Sequence, residues 1–123
     1  MNDNLSRFIA SSFPSVWSLE LLLLLKSERR PWRNEELIGS LRASELVVAQ
    51  ALDSLVAGGL ASVSRAGAEY MPVSESVAAA VDQSAEVYAR KPDAVRRVIV
   101  TSAAGGIAAF ADAFRLRKDK TDG

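Results

Sequence analysis

The side chains in this sequence that could do chemistry are few, and their types narrow the choice. Its 123 residues contain no cysteine and no histidine. Disulfide scaffolds, Cys/His zinc sites and nucleophiles activated by an imidazole base are therefore excluded within one chain. Carboxylates, Lys, Tyr and Ser remain, and no catalytic set emerges from their spacing. No enzyme activity, metal or cofactor is expected. Glu35-Glu36 could offer two carboxylates to a cation. Adjacent helical residues face apart, however, and negative charge in a first helical turn explains the pair. Gly105-Gly106 lacks the lysine and glycine spacing of a phosphate-binding loop, and reads as a helix break or close-packing point. Trp17 and Trp32 read as core-filling aromatics.

Charge and hydropathy set the next limits. Lys+Arg and Asp+Glu both number 15, so the net charge is zero and there is no basic surplus. The apolar run from Val16 to Leu25, with Leu21 to Leu25 unbroken, is ten residues long and contains Glu20. A spanning helix needs about 20 apolar residues. A secretion signal needs a positive region before the run and a small-residue cleavage site after it. Here only Arg7 precedes the run, offset by Asp3, and Lys26-Ser27-Glu28-Arg29-Arg30 follows. The run is expected to be a helix packed from several sides in a cytoplasmic protein with no membrane partner.

The elements follow from periodicity and caps. Leu5, Phe8 and Ile9 predict a short helix over roughly 4 to 12, and Ser15 caps a Leu-rich helix over about 16 to 27. Arg29-Arg30-Pro31-Trp32 is a connector. Asn34 is the expected cap of a helix carrying Leu37, Ile38 and Leu41. After the break at Arg42-Ala43-Ser44, Ser44 caps a longer helix to about Ala57. Val48, Ala51, Leu52, Leu55 and Val56 share one face of it, and Gly58-Gly59 stops it. Leu60 to Ser64 and Glu69 to Val73 predict two short strands joined by Arg65-Ala66-Gly67-Ala68, with Pro72 suited to an edge. Ser74 or Ser76 caps a helix aligning Val77, Val81, Ala85 and Tyr88. Lys91-Pro92-Asp93 then introduces Val95, Val98 and Ile99, and Ile107, Phe110 and Phe114 continue beyond the glycines. Residues 1–123 read as a single domain, mainly α with a small β-hairpin.

The stretch "NEELIGSLRASELVVAQALDSLVAGGLASVSRAGAEYMPV", 34 to 73, carries short helix, three-residue turn, longer helix and hairpin. It resembles winged helix-turn-helix domains of bacterial transcription regulators, the MarR-like groups in particular. "LDSLVAGGLASV" is its most family-like part, through Leu55, Gly59 and Leu60. The resemblance implies a winged core over 16–73, with flanking helices over 1–15 and 74–123 that pair such regulators into homodimers. Its implied partner is DNA, with regulation by operator occupancy. Ser44, Glu45, Ala49 and Gln50, with Leu46 and Asp53, would face bases, and Arg33, Arg42 and Arg65 would hold the phosphate backbone. Lys26, Arg29 and Arg30 offer further positive charge. The recognition-helix segment 44–57 contains no Lys or Arg, which departs from the family's habit. That departure supports a second expectation, a protein-interaction module without DNA contacts whose acidic face docks a basic or apolar protein surface. Val95, Val98, Ile99, Ile107, Phe110 and Phe114, with Leu5, Phe8 and Ile9, are the expected dimer interface.

Overall fold

The computed structural model describes residues 1–102, and within them the chain is mainly helical with one small antiparallel hairpin. Gly105-Gly106, Ile107, Phe110, Phe114 and the basic end lie outside the described residues.

Local chemistry places the helix starts. In α1 (Asp3–Ser12), the Asn2 side chain accepts from the Leu5 N–H at 2.7 Å. In α2 (Val16–Ser27), Ser15 and Ser18 form a reciprocal capping box. α2 is the centre of the fold: Leu19, Leu21, Leu22 and Leu25 are fully buried, and the helix packs on α4, the second strand and α3. Leu23 and Leu24 are only partly buried, on the side where Glu20 accepts from the Tyr88 hydroxyl at 3.0 Å.

α3 (Asn34–Leu41) starts one residue earlier than the sequence suggests. Asn34 is already helical, and Arg33 occupies the cap position. The cap is closed from inside the helix, where the Glu36 carboxylate accepts from the Arg33 backbone N–H at 3.0 Å. Arg42 ends α3 in the left-handed region, at φ 54 and ψ 40. Ser44 then caps α4 (Glu45–Ala57), accepting from the Val47 N–H at 3.1 Å. Val48, Ala51, Leu52 and Leu55 turn inward, whereas Val56, expected with them, turns out and is 43% exposed. Gly59, at φ 73, closes the C-terminus in a conformation that favours glycine.

The hairpin consists of β1 (Ala61–Ser64) and β2 (Gly67–Tyr70), paired from Ala61 opposite Tyr70 to Ser64 opposite Gly67. Its loop is therefore the two residues Arg65-Ala66, not the four that the sequence suggests. The reason is a third partner. Trp32, assigned by sequence to a plain connector, exchanges both backbone hydrogen bonds with Ala68, at 2.7 and 2.8 Å. Gly67 sits at φ 135 over the Trp32 backbone, and a Cβ there would collide with the Trp32 carbonyl. Beyond Tyr70 the pairing tapers into bonds from Met71 N–H to the Leu60 carbonyl and from Val73 N–H to the Gly59 carbonyl. Pro72, between them, has no N–H to donate.

Ser74 caps α5 (Glu75–Arg90), which packs on α1 and buries Val81 and Ser84. After Lys91 the chain is helical again from 92 to 102. Val95 and Ile99, expected at a dimer interface, are buried in the core of this same chain, and Val98 packs partly against it. The helix after Pro92 therefore adds to the intrachain core. No single helix among the described residues is long and apolar enough to cross a membrane.

Candidate nucleic-acid interface

The residues expected to meet DNA come from α3, the turn, α4 and the hairpin tip. α4 buries one stripe against α2 and β1, and this fixes its opposite side toward solvent. Glu45, Leu46, Ala49, Gln50 and Asp53 are all exposed there. Ser44 is exposed at the start of the helix. Its hydroxyl oxygen is engaged in capping, which leaves its proton free to donate outward.

Arg33 and Arg65 are brought together. Both line one open groove between the start of α3 and the hairpin, alongside Asn34, Glu35 and Ser64. The Trp32–Ala68 bridge causes this, because it ties the segment before α3 to the strand that follows Arg65. Arg42 is separate, at the far end of α3, about 12 Å along the helix axis by its eight-residue length. None of the three arginines forms a salt bridge among the described residues.

The other expected cations are already engaged. Lys26 pairs with Asp82 at 3.1 Å. Arg29 lies over the Tyr70 ring at 4.7 Å. Arg30 stacks on Trp32 at 4.0 Å and pairs with Glu36 at 2.9 Å and Glu28 at 3.5 Å. The hydrogen bond to Glu36 raises the Arg30 pKa above its ordinary value. The same bond, with that from the Arg33 N–H, holds the Glu36 carboxyl below its own. Glu36 thus both caps α3 and anchors Arg30.

α4 stands as a ridge between two clefts. On its hairpin side Ala49, Asp53, Val56, Ala61 and Val63 line an open volume of about 640 Å³. On its other side Trp17, Val47, Gln50 and Ser54 line a narrower cleft. Trp32 is buried as the sequence suggests, with its ring N–H donating to the Glu28 carbonyl at 3.1 Å. Trp17, read with it as a core aromatic, is 39% exposed beside α4. Sequence periodicity gave no sign of this, because α2 is apolar nearly all round and its pattern does not mark an outer side. The exposed Val63, opposite Ala68 on the hairpin, is a second residue that sequence reasoning missed. Strand alternation does not mark it, since Val63 lies two residues from buried Ala61 and opposite buried Ala68, which places it on the inward side of the hairpin.

No family model, curated protein or solved structure matches this chain.

The arrangement offers two kinds of contact. Arg33, Arg42 and Arg65 supply dispersed positive charge suited to phosphate oxygens. Gln50 can pair bidentately with adenine, Glu45 can accept from cytosine N4, and Ala49 can meet a thymine methyl group.

Proposed function

We propose that the chain is a winged helix-turn-helix DNA-binding protein, a transcriptional regulator that acts by occupying its operator. The observation that carries this reading is the convergence of Arg33 and Arg65 in one groove beside the exposed side of α4. The order of α3, a turn through Arg42, α4 and hairpin supports it further, as does the Trp32 bridge that holds the hairpin against the start of α3. In this reading α4 is the recognition helix and Arg65 tips the wing. Arg33, Arg42 and Arg65 hold the backbone; Ser44, Glu45, Ala49 and Gln50 face the bases. A homodimer would present two such helices to successive major grooves.

The energetics of this interface rest on phosphates. Each phosphate neutralised gives a slope of about −0.9 in log K against log salt, so three arginines predict about −2.7 per chain. Sequence discrimination rests mainly on Gln50, because Glu45 and Asp53 repel the polyanion unless one accepts from cytosine. Binding to duplexes of differing sequence at several salt concentrations tests the reading. Arg65→Ala is expected to weaken binding to every duplex alike and to reduce the slope by about 1. Gln50→Ala is expected to change the preference between duplexes and leave the slope in place. No salt-dependent binding by the unaltered protein, or equal loss of preference in both variants, overturns the reading.

A further inference from the structure

We infer that the outer side of α4, with its hairpin-side cleft, docks a basic amphipathic helical segment of a partner protein. This goes beyond the DNA reading and gives α4 a competing occupant: the two share Glu45 and Ala49 and otherwise rest on different residues. Leu46 is 65% exposed, Val63 55%, Val56 43% and Trp17 39%, and all four lie on α4 or border its two clefts. Isolated exposed apolar residues are ordinary, but a grouped set around one ridge marks an interaction surface. An exposed tryptophan at its margin fits a protein interface, whose energy concentrates in large aromatics.

Phosphates gain nothing from these side chains. The apolar set needs an apolar counterpart, which a protein helix supplies. Ala49, Ala57, Ala61 and Ser62 are small, and they leave the cleft open enough to receive larger side chains from outside.

Charge selects the kind of helix. The ionisable side chains of α4 are Glu45 and Asp53. Both are exposed and neither forms an ion pair among the described residues. Asp53 lines the cleft itself. A segment with lysines or arginines flanking an apolar stripe meets both the carboxylates and the valines. An acidic segment meets repulsion at the same place. The 13 residues of α4 span about 20 Å, so a partner helix of about 14 residues runs the length of the ridge and anchors at i, i+3, i+4 and i+7 spacing.

The test uses the full chain, labelled with nitrogen-15, and a synthetic Leu/Lys amphipathic helical peptide of about that length. A Leu/Glu peptide of the same pattern is the control, and duplex DNA is titrated separately. Saturable shifts at the Leu46, Ala49, Asp53, Val56 and Val63 amides and the Trp17 ring N–H, with the Leu/Lys peptide alone, are expected. Glu45→Lys together with Asp53→Lys, both at exposed positions, should weaken that binding at least about tenfold, with the circular dichroism of the unaltered chain retained. Absence of shifts on α4, equal response to the two peptides, or shifts centred elsewhere overturns the inference. DNA moving the α4 signals while the Leu/Lys peptide leaves them in place assigns the surface to nucleic acid and also overturns it. Because the DNA reading is tested by salt slope and the arginines, the two can fail independently.

Discussion

At the scale of single residues, Tyr70 shows how a polar group can sit in this core at a cost. The residue is 4% exposed, its ring stacks under Arg29, and its hydroxyl has no hydrogen-bond partner among the described residues. A buried, unsatisfied hydroxyl costs roughly 1–3 kcal/mol. Tyr70→Phe is therefore expected to leave stability unchanged or raise it by about 1 kcal/mol, read by urea denaturation. Burial also pushes the Tyr70 pKa above its ordinary value of 10.0, and the nearby Asp82 adds to this while Arg29 opposes it. A raised pKa means that the native state holds the proton more tightly than the unfolded chain. The stability from this linkage is fully present below pH 10 and is lost as pH rises through the raised value. Tyr88 is raised in the same direction, first by burial and then by its hydrogen bond to Glu20. Melting temperature should fall as pH rises above 10 through the raised values, and Tyr70→Phe should reduce that fall. An unchanged alkaline profile in the variant would place the hydroxyl in water.

Elements respond according to which side of each helix carries the load. Leu22 and Leu23 are neighbours in an unbroken apolar run, yet Leu22 is fully buried and Leu23 is half-buried. Leu22→Ala should cost about 3 kcal/mol and Leu23→Ala about 1 kcal/mol, measured by the same denaturation. Equal costs would mean that the outer side of α2 is covered. The turn between α3 and α4 gives a second contrast. Arg42 holds the left-handed conformation without being glycine, which costs roughly 1 kcal/mol. Arg42→Gly should stabilise the domain by up to about 1 kcal/mol and, under the proposed function, weaken DNA binding, because one change relieves strain and removes the proposed phosphate contact. Loss of both stability and binding would show that the Arg42 side chain also packs. Ser44→Ala removes the cap of α4 and should cost about 1 kcal/mol.

For the molecule as a whole, the helix after Pro92 decides what a mutation there reports. Val95 and Ile99 belong to the intrachain core, so they cannot be altered to probe association alone. Val95→Asp buries an unpaired charge and should cost about 3 kcal/mol or more, giving an unfolded chain and not a folded monomer. Light scattering with circular dichroism distinguishes the two. A folded, smaller species would show that Val95 lies between copies.

Local structure was legible in the residue order. Caps at Asn2, Ser15, Ser44 and Ser74, the glycine stop after Ala57 and the break at Lys91-Pro92 are short-range signals, and the helices follow them to within a residue or two. Tertiary structure decided what no local pattern holds. Trp32 became an edge of the hairpin because its backbone groups found Ala68, 36 positions on, and this shortened the loop and brought Arg33 beside Arg65. Which cations were free depended on carboxylates and rings distant in the chain or across a turn: Asp82 for Lys26, Tyr70 for Arg29, Glu36 for Arg30. The outward side of α2, and with it the exposure of Trp17, was set by packing, because a helix apolar on every side carries no mark of which side its neighbours will cover.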